Sequence, residues 1–151
     1  MSSHYQITRI PLQQTLELRQ KVLKPFLRAE ECVNPGDELP TTFHLGLFHG
    51  QKLISICTLL SEPSPHFSAG NPYRLRGMAT DSEYRGQGFG RILLQHGMNS
   101  LRQTRSDFLW CNAREKAFNF YQTLGFFFYG GSFELDRIGA HKIMYKYLIS
   151  R

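Results

Sequence analysis

An α+β fold is what this sequence of 151 residues predicts: a mixed central β-sheet flanked by helices, in the order β-α-β-β-β-α-β-α-β-β. Three observations carry the prediction. Short apolar runs bounded by Gly, Pro, Asn and Asp recur along the chain as strand candidates. Other stretches space their apolar residues as one face of a helix. Finally, Arg85-Gly86-Gln87-Gly88-Phe89-Gly90 falls directly between the apolar run 75–79 and the helix-like run 92–101, which sets strand, tight turn and helix in succession.

Residues 5–10 form a first strand, ended by Pro11. From Leu12 on, Leu12, Leu16, Leu23 and Leu27, with Val22 and Phe26, follow helical spacing, and Pro25 kinks or breaks this amphipathic helix near its end. Residues 28–40 are polar, with Asn34-Pro35-Gly36-Asp37 as a turn. There Glu30, Glu31, Asp37 and Glu38 read as solvated loop charges. Residues 42–48 and 52–60 are strands joined by His49-Gly50-Gln51. Residues 61–72, with Pro63, Pro65, Gly70 and Pro72 among serines, make a surface loop. The strand 73–80 then delivers the chain into the glycine turn.

After the turn, Leu93, Leu94, Gly97, Met98 and Leu101 share a helical face, and Gly97 permits close packing at a cost of about 1 kcal/mol relative to alanine. Residues 108–112 are almost continuously apolar, the pattern of a buried parallel strand. Residues 114–124 form a helix with Ala117, Phe118, Tyr121 and Leu124 on one face and Gly125 at its C-terminal stop. Strands 126–135 and 141–148 finish the chain around Asp136-Arg137-Ile138-Gly139. The last is marked by the alternation of Lys142, Met144 and Lys146 with Ile143, Tyr145 and Tyr147. No linker or repeat interrupts this order, so residues 1–151 read as a single domain.

Composition narrows the function. Hydrophobic residues make up 41% and charged residues 20%, as in ordinary soluble globular proteins. The net charge of +6 suits an anionic cofactor, an acidic substrate or nucleic acid. Its basic residues are dispersed, however, with no basic run and no nucleic-acid-binding signature, so nucleic acid is not an expected partner. Cys32, Cys57 and Cys111 are odd in number and widely spaced, which supports neither a disulfide framework nor a CxxC metal site. Buried reduced thiols are the expectation, Cys111 included, despite its place beside Asn112. The first nine residues lack a signal-peptide core and no run approaches a membrane span. A cytoplasmic protein without metal or membrane contact is expected.

The glycine turn has the makings of an anion cradle. Glycine lets the backbone bend to positive φ and approach a ligand closely, the first-turn N–H groups of the helix face outward, and the helix macrodipole favours negative charge there. Arg85 and Arg91 bracket it. The dinucleotide fingerprint would need a glycine at Arg91, and a P-loop would need Gly-Lys-Ser/Thr where this chain has Gly90-Arg91-Ile92.

R-G-x-G-x-G, preceded by Gly77-Met78-Ala79-Thr80-Asp81-Ser82-Glu83-Tyr84, resembles the acetyl-CoA loop of the GNAT superfamily of N-acetyltransferases. Phe120-Tyr121-Gln122-Thr123-Leu124-Gly125-Phe126 is similar to the FY-x-x-LGF segment of the same enzymes. The chain further resembles a bacterial subgroup related to the ElaA and YjcF proteins. That likeness lies in Leu18-Arg19-Gln20-Lys21-Val22-Leu23, in His44-Leu45-Gly46, and in Phe133-Glu134 followed by Ile138-Gly139-Ala140-His141 and Met144.

The resemblance implies a GNAT fold and direct transfer of the acetyl group of acetyl-CoA to a primary amine, with no metal. It implies that the backbone of Met78 and Ala79 pairs with pantetheine, one of the two amides also serving the oxyanion. The amides of Gln87, Gly88, Phe89, Gly90 and Arg91 would hold the pyrophosphate, with Gly86 in the turn and Arg85 and Arg91 adding phosphate contacts. Tyr121 matches the tyrosine that protonates the departing thiolate. Many relatives carry a glutamate base on the strand before the loop, and Tyr73-Arg74-Leu75-Arg76-Gly77 has no acid, so the amine's proton leaves through water, Glu134 or His141. His141 equally reads as a tie for the final hairpin. Arg114 stands where many members have the asparagine that contacts pantetheine.

A non-catalytic acyl-CoA-binding sensor is the alternative function. The amine acceptor, a small molecule or a peptide, is not specified by these motifs, and the region 28–40 would help cover it, with contact between the amine and Glu30, Glu31, Asp37 or Glu38 as the alternative to solvated charges. The aromatic-rich strand 126–133 offers an edge for pairing two copies in a homodimer.

Overall fold

The computed structural model describes residues 4–149. Its strands are β1 (Tyr5–Ile10), β2 (Phe43–His49), β3 (Lys52–Ser61), β4 (Pro72–Thr80), β5 (Phe108–Arg114), β6 (Phe127–Leu135) and β7 (Gly139–Tyr147). They form one mixed seven-stranded sheet in the order β1-β2-β3-β4-β5-β7-β6. This is the GNAT acyltransferase fold that the motifs implied. The chain makes two compact units, one of residues up to Leu60 with Arg76–Gly97, the other of Ser61–Leu75 with the residues from Met98 on.

In the first unit β1 pairs antiparallel with β2, and β2 with β3 through a two-residue hairpin closed by His49 and Lys52. Both faces of these strands are buried: Ile56 lies on one in a cluster with Ile10, Leu18 and Ala79, and Leu45, Leu47 and Leu59 share the other. Helix α2 (Phe89–Gln103) lays the fully buried Leu93 and Leu94 on this apolar surface. A Cβ on Gly97 would lie 2.9 Å from Leu59 Cδ1 and 3.3 Å from Leu45 Cδ1, so this glycine does permit the close approach expected of it.

The first helical segment ends at Leu23, the break expected of Pro25, because Lys24 is driven out of the helical region (φ −141°, ψ 65°) as residues preceding proline are. It departs from expectation in not being one α-helix. A 3₁₀ turn (Leu12–Thr15) leads into a single α turn, α1 (Leu16–Leu18), and then a π turn (Arg19–Leu23). The three-residue period of the 3₁₀ turn buries Leu12, Thr15 and Leu18 in place of Leu16 and turns Arg19 inward, while Val22 and Leu23 pack on the core as their spacing predicted.

In the second unit β4 and β5 run parallel, as the apolar strand suggested, through Pro72–Arg74 opposite Phe108–Trp110. β7 pairs antiparallel with both β5 and β6, which leaves β6 at the sheet's edge. Arg114 belongs to β5, not to the helix expected from it. The chain makes a 3₁₀ turn at Glu115–Ala117 before helix α3 (Phe118–Thr123).

α3 ends as the sequence predicts at Gly125 (φ +91°). The N–H of Phe126 donates to Tyr121 O at 3.1 Å and that of Gly125 to Gln122 O at 3.0 Å, a Schellman cap, while the Tyr121 and Phe126 rings meet at 5.3 Å. The lysine side of β7 is the one this helix covers. Met144 is fully buried there, and the Lys142 ammonium lies 5.8 Å over the Phe118 ring and 4.8 Å over Phe128.

Candidate active site

In the first unit β4 ends where Asp81 turns the chain. Its backbone N–H donates to Ile54 O (2.7 Å) and its carboxylate accepts from the Glu83 N–H (3.0 Å). That hydrogen bond, despite burial and with Lys21 and Lys52 nearby, holds the Asp81 carboxyl below the usual carboxylate range. Gly86 (φ +76°) and Gly88 (φ +85°) then carry the chain through left-handed conformations, and no atom lies within 4 Å of a Cβ at either. Backbone angle, not crowding, demands glycine here, and the space above the turn is open.

α2 starts at Phe89, earlier than the apolar periodicity indicated, so the last glycine of the motif is already in the helix's first turn. Its first ladder bond is Ile92 N–H to Gly88 O at 3.0 Å, which leaves the amides of Phe89 and Gly90 outside the ladder. The buried Phe89 ring anchors the start among Tyr5 (6.4 Å), His49 (6.2 Å) and Tyr84 (6.2 Å). Arg85, Gln87 and Arg91 are exposed. Open space, outward amides and two arginines fit a pyrophosphate.

Upstream, β4 holds Met78 half-buried and Ala79 buried. Ser55 Oγ donates to Ala79 O (3.3 Å) and bonds Thr80 Oγ1 (2.8 Å). Gly77 takes φ +61°, and a Cβ there would lie 3.0 Å from Arg19 Nε.

That arginine belongs to a cluster the sequence did not flag. Arg19 and Asp37 are paired at 2.7 Å with side chains only 3% and 2% exposed. The solvated-charge expectation therefore holds for the exposed Glu30, Glu31 and Glu38 and fails for Asp37. Thr58 Oγ1 accepts from Arg19 Nη2 (2.8 Å) and meets His44 Nδ1 (2.7 Å), while His44 Nε2 meets Asp37 O (3.1 Å). A carbonyl only accepts, so Nε2 carries the proton, and Nδ1 accepts from the Thr58 hydroxyl. A charge interrupting the apolar spacing of the first helix was the available signal.

Burial pushes the Asp37 carboxyl up, but hydrogen bonds from Arg19 and the Asn34 N–H, with the Arg19 charge, outweigh it and hold the group below its ordinary 3.8. Burial lowers His44 below its ordinary 6.5. Both groups bind protons more weakly folded than unfolded, so each contributes stability that is complete above its unfolded pKa and is lost as pH falls through its folded pKa. We expect the wild-type Tm to fall as pH drops from about 7.5 to about 5, the window opened by His44. His44→Gln should flatten that slope, and an unchanged slope would exclude His44 as its source.

In the second unit Tyr121 is buried on α3, against Phe120 and Phe126. Arg114 is half-buried. Burial lowers its pKa from the ordinary value, and the nearby Tyr121 opposes that shift. His141, also buried, is paired in register with Arg114 on β5 and Phe133 on β6, and its ring stacks on Phe133 at 5.9 Å.

His141 Nδ1 lies 2.8 Å from Gly139 O, so Nδ1 donates, and Nε2 of the neutral ring keeps the lone pair. The same bond ties the final hairpin, and both uses of this histidine are compatible. Glu134 is exposed opposite Ala140 and points to the other face of the sheet, so it and His141 are not brought together. By the same alternation His141 faces away from Lys142 and thus from α3, the helix carrying Tyr121. Burial pushes the Cys57 and Cys111 thiols up to about 12, so neither is a nucleophile.

A glycine turn closing a strand onto a helix N-terminus, set in this mixed sheet, defines an acyltransferase of the GNAT class. The family model described as the Acetyltransferase (GNAT) family matches residues 9–126, and the chain belongs to that family. It is 36% identical over 143 residues to YitI of Bacillus subtilis (strain 168), named an uncharacterized N-acetyltransferase, covering 95% of this chain and 96% of that protein. Escherichia coli ElaA superposes with TM-score 0.72 at 19% identity, covering 96% of this chain and 99% of that one. An aminoglycoside 6'-N-acetyltransferase complexed with coenzyme A does so with TM-score 0.75 at 14% identity, covering 97% and 98%. Among the described residues no helix is long and apolar enough to cross a membrane, and no three His, Cys, Asp or Glu side chains gather as metal ligands.

Proposed function

We propose that this chain is, as one domain, a cytoplasmic acetyl-CoA-dependent N-acetyltransferase of the ElaA/YjcF-like kind that transfers acetyl directly to a primary amine. The glycine turn carries the reading: two left-handed glycines feed the open N-terminus of α2 at the end of β4, a cradle for the cofactor's diphosphate. Arg85, Gly86, Gln87, Gly88, Phe89, Gly90 and Arg91 bind phosphates, and Met78 and Ala79 pair with pantetheine, one of their two amides polarising the thioester carbonyl.

Direct transfer needs a base for the attacking amine and an acid for the leaving sulfur, which depart on different sides of the tetrahedral carbon. His141 and Tyr121 answer that need from opposite faces of one sheet. His141 Nε2, its tautomer fixed by Gly139 O, takes the amine's proton, and the Tyr121 hydroxyl protonates the thiolate. Glu134, exposed on an edge strand, is the weaker base candidate.

Acetyl-CoA should raise the wild-type Tm, because a ligand bound only by the folded state stabilises it. CoA thiol release with spermidine, kanamycin, free amino acids or a short peptide tests turnover. Tyr121→Phe should lower kcat by about 10²-fold while acetyl-CoA affinity changes by less than about threefold, in line with general-acid contributions. Unaltered kcat would remove Tyr121 from the chemistry.

A further inference from the structure

We infer that Arg19, Asp37, Thr58 and His44 form a buried positioning unit that fixes the left-handed turn of β4 at Gly77, and through it the Met78 and Ala79 amides; the inference rests on the function proposed above. The guanidinium is fully committed at its two terminal nitrogens. Nη1 donates to Cys32 O (3.0 Å) and Asp37 Oδ2 (2.7 Å), and Nη2 to Asp37 Oδ1 (3.0 Å) and Thr58 Oγ1 (2.8 Å). Only Nε is left, buried and without a partner. Turning the group to satisfy Nε would break the bidentate pair with Asp37.

Nε faces Gly77. It lies 3.0 Å from the point a Cβ would occupy there, so the planar guanidinium walls off the side of the strand where the backbone takes φ +61°. Arg76, one residue earlier, donates from Nη2 to Asn34 Oδ1 at 3.4 Å, which ties β4 to the very turn that holds Asp37. On the far side of Met78 and Ala79, Ser55 Oγ donates to Ala79 O and the Asp81 N–H donates to Ile54 O. The Met78 and Ala79 amides, one of which serves the acyl oxygen, thus sit on a short span clamped at both ends.

A buried donor left unmade is costly, and folds keep one where the surroundings over-determine it, often beside a functional site. Stability alone is a poor account of the pair, since buried ion pairs replaced by apolar groups of similar volume often leave stability unchanged or improved. Positioning is a better one. A donor displaced by an ångström from a developing oxyanion loses much of its effect on the transition state and little of its ground-state binding. Arg19 touches no substrate in this account and acts through the backbone of β4.

Two measurements on Asp37→Asn and Thr58→Val test this, with Thr58→Ser as the restoring variant. Thr58→Val keeps the shape and the Arg19–Asp37 pair while removing the hydroxyl between Arg19 and His44, so it serves where Asp37→Asn fails to fold. By amide hydrogen exchange on the free protein, Gly77, Met78 and Ala79 should exchange at least about tenfold faster in the variants, with β5 unchanged and Thr58→Ser like wild type. With acetyl-CoA and the best amine of the panel, kcat should fall by at least about 30-fold while KM for acetyl-CoA stays within about threefold.

Equal exchange at 77–79 in wild type and Thr58→Val would overturn the inference, as would a loss of activity expressed in KM alone. Absence of turnover in wild type would strike the proposed function instead, and the exchange result would still decide the role of the cluster.

Discussion

Gly88→Glu should keep the fold and lose acetyl-CoA. At φ +85° a side chain strains the backbone by about 1–2 kcal/mol, but nothing lies within 4 Å of the new Cβ, so no packing is disturbed. The carboxylate enters the mouth of α2, where the dipole and Arg85 and Arg91 otherwise favour an anionic ligand, and it competes with that ligand directly. Acetyl-CoA affinity should drop by at least about 100-fold. A wild-type protein at a hundredfold excess of ligand over Kd gains about 2.7 kcal/mol, a readily measured Tm rise that should vanish in the variant. Gly88→Ala, which brings the strain without the charge, should retain part of the rise. An equal rise in all three proteins would move the cofactor away from the glycine turn.

Asp37→Ala should be the most damaging single substitution for stability outside the apolar core. The variant leaves the Arg19 guanidinium buried with no counter-ion, strips the Asn34 N–H of its 2.6 Å bond, and should cost about 3–5 kcal/mol in urea unfolding. Glu30→Ala provides the contrast, because that carboxylate pairs with Arg28 in solvent and should matter by less than about 0.5 kcal/mol. Similar losses for the two would mean that the buried pair is not what secures the 34–37 turn.

Strand positions were legible because their information is local. Turn residues such as Asn34-Pro35-Gly36-Asp37 and Gly125 mark breaks through backbone chemistry that tertiary contacts seldom override, and β1 lies where its residues predict it. The glycine turn was legible for the same reason. Two kinds of information were not. The first helical segment changes its period along its length, so a fixed 3.6-residue rule placed Val22 and Leu23 on the core correctly but assigned Leu16 to a face that Thr15 and Arg19 occupy.

The Arg19–Asp37–Thr58–His44 cluster draws on a helix, a loop and two strands, and no spacing rule joins residues that meet only after folding. His141 shows the middle case. Its place in the last strand was visible, whereas the proton arrangement of its ring depends on Gly139 O, a backbone atom two residues away.

The placement of β7 between β5 and β6 bears on how the second unit assembles. β6 and β7 form a local hairpin, which closes fast, but β5 has no antiparallel neighbour until β7 arrives from across α3 and the hairpin. During synthesis the apolar Phe108–Trp110 stretch therefore waits with one edge uncovered, a window for mispairing that closes only when translation has passed Tyr147. Slowing release of the C-terminal segment should then lower the yield of native protein by aggregation, without changing the stability of the molecules that do fold.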